Sequence, residues 1–160
     1  MRLSDHRTAP GDVVRIADFQ PQYTRRIVEL WRRSFEHGVG ITDPHPLDDQ
    51  LAYFETTVLP ANAVRVAFLG PDPVGFLAST PESVSHLYVA VPCIGRGIGT
   101  RLLDLAKAES SGSLWLHTFA QNAVARAFYE RHGFVDAGHG FENMWKLEDV
   151  RYVWSRADGS

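Results

Sequence analysis

Apolar residues change their spacing repeatedly along this chain, and each change marks a new element. Val13-Val14-Arg15-Ile16-Ala17 reads as a short strand. Tyr23, Ile27, Leu30, Trp31 and Phe35 then recur at the i, i+4, i+7, i+8 spacing of one buried helical stripe, with Pro21 in the first turn and Gly38 at the end. After the polar loop HGVGITDPHPLDDQ, the segment LAYFETTVL predicts a short second helix. Val64–Leu69 and Val74–Ala78 are apolar strands, joined as an antiparallel hairpin by Gly70-Pro71-Asp72-Pro73. A third strand runs over Val84–Val91 and stops at Pro92.

The next helix opens inside IGRGIGT and turns Ile98, Leu102, Leu105 and Ala106 to one face. Leu114–Thr118 is a strand. Asn122 then caps a helix with Val124, Ala125 and Phe128 inward, Arg131 and His132 in its last turn, and Gly133 as a left-handed stop. Phe134–Ala137 and Met144–Leu147, followed by RYVW, complete a mixed sheet. The order β-α-α-β-β-β-α-β-α-β-β describes an α/β domain with a βαβ crossover at its centre. Residues 13–155 form this single domain, residues 1–12 a loose leader and residues 156–160 a frayed tail.

Composition narrows the function classes more than the fold. A chain of 160 residues, 44% hydrophobic and 22% charged, can enclose its own core. A net charge of −3 argues against holding nucleic acid by an overall field. Cys93 is the sole cysteine, so there is no internal disulfide, and no CxxC-type cluster suggests a metal. No apolar run approaches the roughly 18 residues of a membrane span, and the N-terminus lacks a signal-peptide core. The expectation is a soluble cytoplasmic protein with no metal, nucleic-acid or membrane partner.

The chemistry concentrates in Ile94-Gly95-Arg96-Gly97-Ile98-Gly99-Thr100, which leaves a strand and enters the apolar helix RLLDLAKA. A turn there needs only permissive backbone. Peptide N–H groups at a helix start also favour an anion, and glycine keeps side chains out of its way. No Gly-Lys-Ser/Thr follows, as a nucleotide-hydrolysing phosphate loop requires, and the position along the chain does not suit a dinucleotide fingerprint.

HLYVAVPCIGRGIGTRLL followed by NAVARAFYERHGF resembles the GCN5-related N-acetyltransferase (GNAT) family, whose acyl-CoA loop reads Gln/Arg-x-x-Gly-x-Gly/Ala. The resemblance implies a central mixed, mostly antiparallel sheet with helices on both faces. It implies acetyl-CoA as co-substrate, its pyrophosphate held by the backbone of Gly95, Arg96, Gly97, Ile98, Gly99 and Thr100. Arg96 either adds a charge-assisted contact or is a solvated loop arginine. Ile94 stands where the family has Gln or Arg, so a side-chain contact is lost. The strand carrying Leu87, Tyr88 and Val89 would splay from Leu114–Thr118 and offer unpaired peptide groups to the pantetheine arm and the acetyl carbonyl. Asn122 serves as a helix cap, a pantetheine contact or both, and Phe128 flanks the cofactor beside Tyr129. Tyr129 matches the tyrosine that protonates the leaving thiolate, a feasible transfer because phenol and thiol differ by about 1.5 pK units.

The base is less defined. The face where the family usually carries one presents Ser83 and Ser85, leaving Glu82 at the strand's entrance, His86 on the opposite face, or water relayed by the serines. His117 either lines the acceptor pocket or is exposed. Glu36, His37, Asp43, His45 and Asp48 fall where relatives place a variable acceptor loop, and acids there would attract a protonated amine.

The function implied is acetyl-CoA-dependent N-acetylation of a primary amine on a small molecule or peptide, by direct attack and without an acyl-Cys93 carrier. The alternative is a non-catalytic acyl-CoA-binding sensor or interaction module. An aminoacyl-tRNA-acetylating toxin would suit a far more basic chain. Many relatives pair as dimers, which leaves a homodimer open.

Overall fold

The computed structural model describes residues 13–157; the leader expected over 1–12 and the last three residues lie outside them. The chain runs through β1 (Val14–Asp18), α1 (Thr24–Val39), α2 (Leu47–Tyr53), α3 (Leu59–Ala61), β2 (Ala63–Leu69), β3 (Asp72–Ser79) and β4 (Val84–Val89). It continues with α4 (Ile98–Ala108), β5 (Ser113–Phe119), α5 (Ala123–Arg131), β6 (Val135–Gly140) and β7 (Asp149–Ser155). The element order matches the hydrophobic pattern. A π-helical turn, Phe54–Val58, joins α2 to α3, so the second helical segment runs longer than LAYFETTVL.

Two antiparallel sheets form, ordered β1-β2-β3-β4 and β5-β7-β6. One parallel bridge, Ser83 to Trp115, links β4 to β5 and makes the whole a mixed sheet. Alternation along the strands sends side chains to two cores. Ile27, Val28, Phe54, Val66 and Phe76 are buried under α1–α3 on one face. Leu77, Ile98, Leu102, Leu103, Leu114, Leu116 and Tyr152 are buried under α4 and α5 on the other. Each such side chain, fully withdrawn from water, contributes about 1.5–3 kcal/mol of transfer free energy.

Several local expectations change. The stop of α1 is Gly40, at φ 83°, and Gly38 lies inside the helix. A Cβ at Gly38 would fall 2.5 Å from Asn122 Nδ2, so that glycine permits α1 to meet the start of α5. β4 ends at Val89 because a 3₁₀ turn, Val91–Cys93, begins before Pro92. On α4, Leu103 is fully buried while Leu105 is partly exposed, and on α5 Val124 is 67% exposed. Short helices meet their neighbours obliquely, so a single ideal stripe misplaces an edge residue. Met144–Leu147 is not a strand. Asn143 holds that stretch as a loop, its Oδ1 accepting the Trp145 N–H (3.0 Å) and its Nδ2 donating to the Leu147 carbonyl (2.8 Å).

Candidate functional site: the gap between β4 and β5

β4 and β5 touch at one end only. At the closed end the Ser83–Trp115 bridge forms and the Trp115 N–H donates to the Glu82 carbonyl at 3.1 Å. Beyond it, no backbone hydrogen bond joins the two strands among the described residues. The opposite edge of β4 pairs with β3, and the Ala90 N–H donates to the Val74 carbonyl at 2.8 Å. Peptide groups in an antiparallel strand alternate in direction, so Tyr88 and His86 also face β3 while Leu87 and Val89 face the gap. The Val89 carbonyl confirms this direction by accepting from Ser34 Oγ at 3.0 Å. The N–H groups of Leu87 and Val89 are thus aimed into the gap, where buried donors require partners.

The glycine loop follows at the open end. Residues 94–97 are exposed, between the buried side chains of Cys93 and Ile98. Gly95 and Gly97 have φ 87° and 83°, and a Cβ on either would meet nothing. They are required by backbone conformation, which L side chains resist. Gly97 caps α4 without a side-chain bond, and the first intrahelical bond runs from the Arg101 N–H to its carbonyl at 3.1 Å. The N–H groups of Ile98, Gly99 and Thr100 therefore have no helical acceptor, the arrangement that binds an anion.

Gly99 has a different reason. A Cβ there would sit 3.3 Å from the Phe128 ring. The Thr100 hydroxyl donates to His132 Nε2 at 3.1 Å, and His132 Nδ1 donates to the Phe128 carbonyl at 2.7 Å. These contacts lock the first turn of α4 to α5. Phe128 thereby stands beside the loop, edge-on to Tyr129 at 5.2 Å.

Tyr129 is 8% exposed, and its hydroxyl has no hydrogen-bond partner among the described residues. Burial pushes its pKa strongly upward, and the neighbouring Tyr88 phenol adds to the shift. Tyr88 itself is raised to about 12 by burial, opposed by a side-chain hydrogen bond from Trp31. Both phenols therefore keep their protons at neutral pH.

The remaining expected residues separate. Asn122 Oδ1 caps α5, accepting the Ala125 N–H at 3.1 Å, while its Nδ2 lies against Gly38. Ile94 is 41% exposed. Burial raises the pKa of the Cys93 thiol, with the Arg96 charge opposing, the reverse of an activated nucleophile. Glu82 sits at the closed end, five residues before Leu87 and so roughly 16 Å along extended chain. His86 turns away from the gap, edge-on to Trp31 at 4.6 Å and stacked near Phe76, with Nδ1 3.0 Å from Ser85 Oγ. Burial lowers its pKa to about 4, so it is neutral and weakly basic. His117 is exposed, edge-on to Trp115 at 5.5 Å. Neither Glu82 nor His86 is brought to the open end of the gap.

Of the charged cluster after α1, Glu36, Asp43 and His45 converge, whereas His37 and Asp48 are exposed. Three contributors were not identified in the sequence: Ser34 on the Val89 carbonyl, Trp145, and Phe35 bridging Phe119 (5.6 Å) to Trp145 (4.7 Å). The signal for Trp145 was Asn143, a turn residue immediately before the expected strand. Among the described residues no group of His, Cys, Asp and Glu is suited to a metal, and no helix is long and apolar enough to cross a membrane.

The chain is 29% identical over 114 residues to the peptidyl-lysine N-acetyltransferase YjaB of Salmonella typhimurium, a match covering 71% of this chain and 77% of the relative. Its fold is shared with the solution structure of apo YjaB from Escherichia coli, at TM-score 0.75 and 20% identity, covering 91% of this chain and 99% of that one. It is also shared with the YncA structure from Salmonella typhimurium with its cofactor acetyl-CoA, at TM-score 0.65 and 18% identity, covering 92% and 96%. Residues 24–134 match the family described as Acetyltransferase (GNAT), and with most of its length inside that match the chain belongs to this acetyltransferase family.

Proposed function

We propose that this protein transfers an acetyl group from acetyl-CoA to a primary amine of a small molecule or peptide, by direct attack. The observation that carries the reading is the buried Tyr129 hydroxyl, without a partner among the described residues, beside a strand whose Leu87 and Val89 N–H groups face an open gap. The chain's own groups fit the co-substrate. The exposed glycine loop and the first N–H groups of α4 would hold its phosphates, with the helix dipole favouring the charge. Acetyl-CoA supplies an activated thioester carbonyl.

The residues then have separable tasks. The Leu87 and Val89 N–H groups would orient the acetyl group, giving hydrogen bonds to oxygen as it gains negative charge. Ser34 holds the Val89 carbonyl and so keeps that peptide in place. Tyr129 would donate its phenolic proton to the departing sulfur, although the burial that raises its pKa makes it a weaker acid than a free phenol. A peptide lysine is the acceptor class suggested by the Salmonella relative's name.

The test is acetyl-CoA titration calorimetry on wild type and Gly97→Val, alongside transfer assays with amines. A β-branched residue at φ 83° must move the loop. Because its Cβ would meet nothing, the fold should persist while acetyl-CoA affinity falls by about 100-fold, the equivalent of two ten-fold steps of about 1.4 kcal/mol. Unchanged affinity would remove the loop from the binding site.

A further inference from the structure

The corner where the α1–α2 loop meets the β6–β7 loop holds a histidine bonded to a buried carboxylate. Asp43 is 6% exposed and fixed from three directions. Its N–H donates to Glu36 Oε2 at 2.8 Å, its carbonyl accepts from Arg32 at 2.8 Å, and its Oδ1 accepts the His45 N–H at 2.9 Å. The same carboxylate lies 2.9 Å from His45 Nδ1. A carboxylate only accepts, so Nδ1 carries the proton and Nε2 presents a lone pair. Nε2 has no partner among the described residues, and the side chain is 40% exposed.

Aromatic packing connects this imidazole to α1. The His45 ring stands edge-on to Trp145 at 4.6 Å, Trp145 packs on Phe35 at 4.7 Å, and the residue before Phe35, Ser34, bonds the Val89 carbonyl at 3.0 Å. A run of contacts thus leads from the Val89 carbonyl through Ser34, Phe35 and Trp145 to the imidazole. The charges facing the corner are Arg32 and Glu36 from α1 and Asp43 from the loop itself. α2 contributes the neutral Gln50, which accepts from Arg32 at 3.1 Å, and the β6–β7 loop contributes Trp145. Glu82 and His86, by contrast, are held away from the open end.

We propose that His45, oriented by Asp43, is the base that takes the acceptor amine's proton, an assignment that rests on the acetyltransferase reading above. The ammonium gives one proton to Nε2. The neutral nitrogen forms its bond to the acetyl carbon as the carbon–sulfur bond breaks, and Tyr129 protonates the departing sulfur. The nitrogen's second proton restores the tyrosine through solvent, and the proton left on the imidazole is the one the reaction releases. Asp43 acts through His45 and is a positioning residue.

The experiment measures kcat/KM against pH for wild type, His45→Ala and Asp43→Asn with a lysine peptide and spermidine, with acetyl-CoA affinity and circular dichroism as controls. His45→Ala should lose about 100-fold or more in turnover near neutral pH, within the usual range for general-base removal. It should lose the acidic limb of the profile, recover as pH rises toward the amine's own pKa, and regain activity with added imidazole. Asp43→Asn should lower turnover less and shift the limb. A folded His45→Ala with the wild-type profile, or one that imidazole fails to rescue, overturns the assignment and leaves the acetyltransferase reading standing. Should His45→Ala fail to fold, the Asp43→Asn profile decides, and an unshifted limb overturns the proposal. Wild-type protein that binds acetyl-CoA and acetylates neither probe overturns both.

Discussion

The two sides of the β4–β5 gap are built by different means. On one side, β4, the glycine loop and α4 are consecutive in sequence, and the groups offered are mostly backbone: Leu87 and Val89 N–H, the loop, and the first turn of α4. On the other side, α1, the α1–α2 loop and the β6–β7 loop come from both ends of the chain. The groups offered there are side chains: Ser34, His45 and Trp145. Backbone presented by a local motif can hold a common ligand in many proteins, since its requirements reduce to glycines and a helix start. A wall of side chains from distant segments can be varied without disturbing that motif, which is how one fold serves many acceptors.

Substitutions on each side should separate the two functions. The largest effect is expected from Tyr129→Phe, which should lower turnover by about 100-fold to 10,000-fold through loss of the proton donor. Acetyl-CoA affinity and melting temperature should stay close to wild type, because the hydroxyl makes no hydrogen bond among the described residues. Rapid single-turnover kinetics would check this, and full activity would sink the role. Trp145→Ala should act on the other side only, raising the acceptor KM by about tenfold, a typical loss of roughly 1.4 kcal/mol for an aromatic wall contact. An equal loss of acetyl-CoA affinity would erase the distinction between the sides.

A pH experiment probes the packing beneath the acceptor wall. His86, among Trp31, Phe76 and Tyr88, has its pKa lowered to about 4 by burial, against about 6.5 in an unfolded chain. Between those values the unfolded state binds the extra proton, so stability should fall as pH drops from about 6.5 to about 4 and this contribution should level off below. Melting curves of wild type and His86→Phe should differ in slope over that window, and parallel curves would contradict the burial of the neutral ring. The smallest effect is on the cofactor side. Ile94→Gln, at an exposed position, should tighten acetyl-CoA by about fivefold, the worth of one net hydrogen bond near 1 kcal/mol.

Much of the stretch from the glycine loop to α5 was legible in the sequence, because its signals are local. Glycines requiring positive φ, Asn122 as a cap, Gly133 as a stop and the apolar face of α4 each depend on a few neighbouring residues. Even there, Gly99 read like its neighbours, although its reason is the Phe128 ring on another helix. Gly38 read as a helix end for the same lack of long-range information. The Met144–Leu147 stretch read as a strand because three of its four residues are apolar, and the Asn143 side-chain bonds that make it a loop compete locally with sheet pairing.

By itself the sequence determined the element order, the two-faced apolar patterning and the glycine loop that opens α4, since periodicity and backbone conformational preference act over a few residues. Tertiary structure alone decided that β4 and β5 part after Ser83, that His86 packs against α1 and that His45 meets Trp145. Those outcomes depend on strand register, on which face packs against α1, and on contacts between segments about 100 residues apart, as with His45 and Trp145. No short window of sequence carries that information, because the free energy that selects it is released only when distant side chains meet.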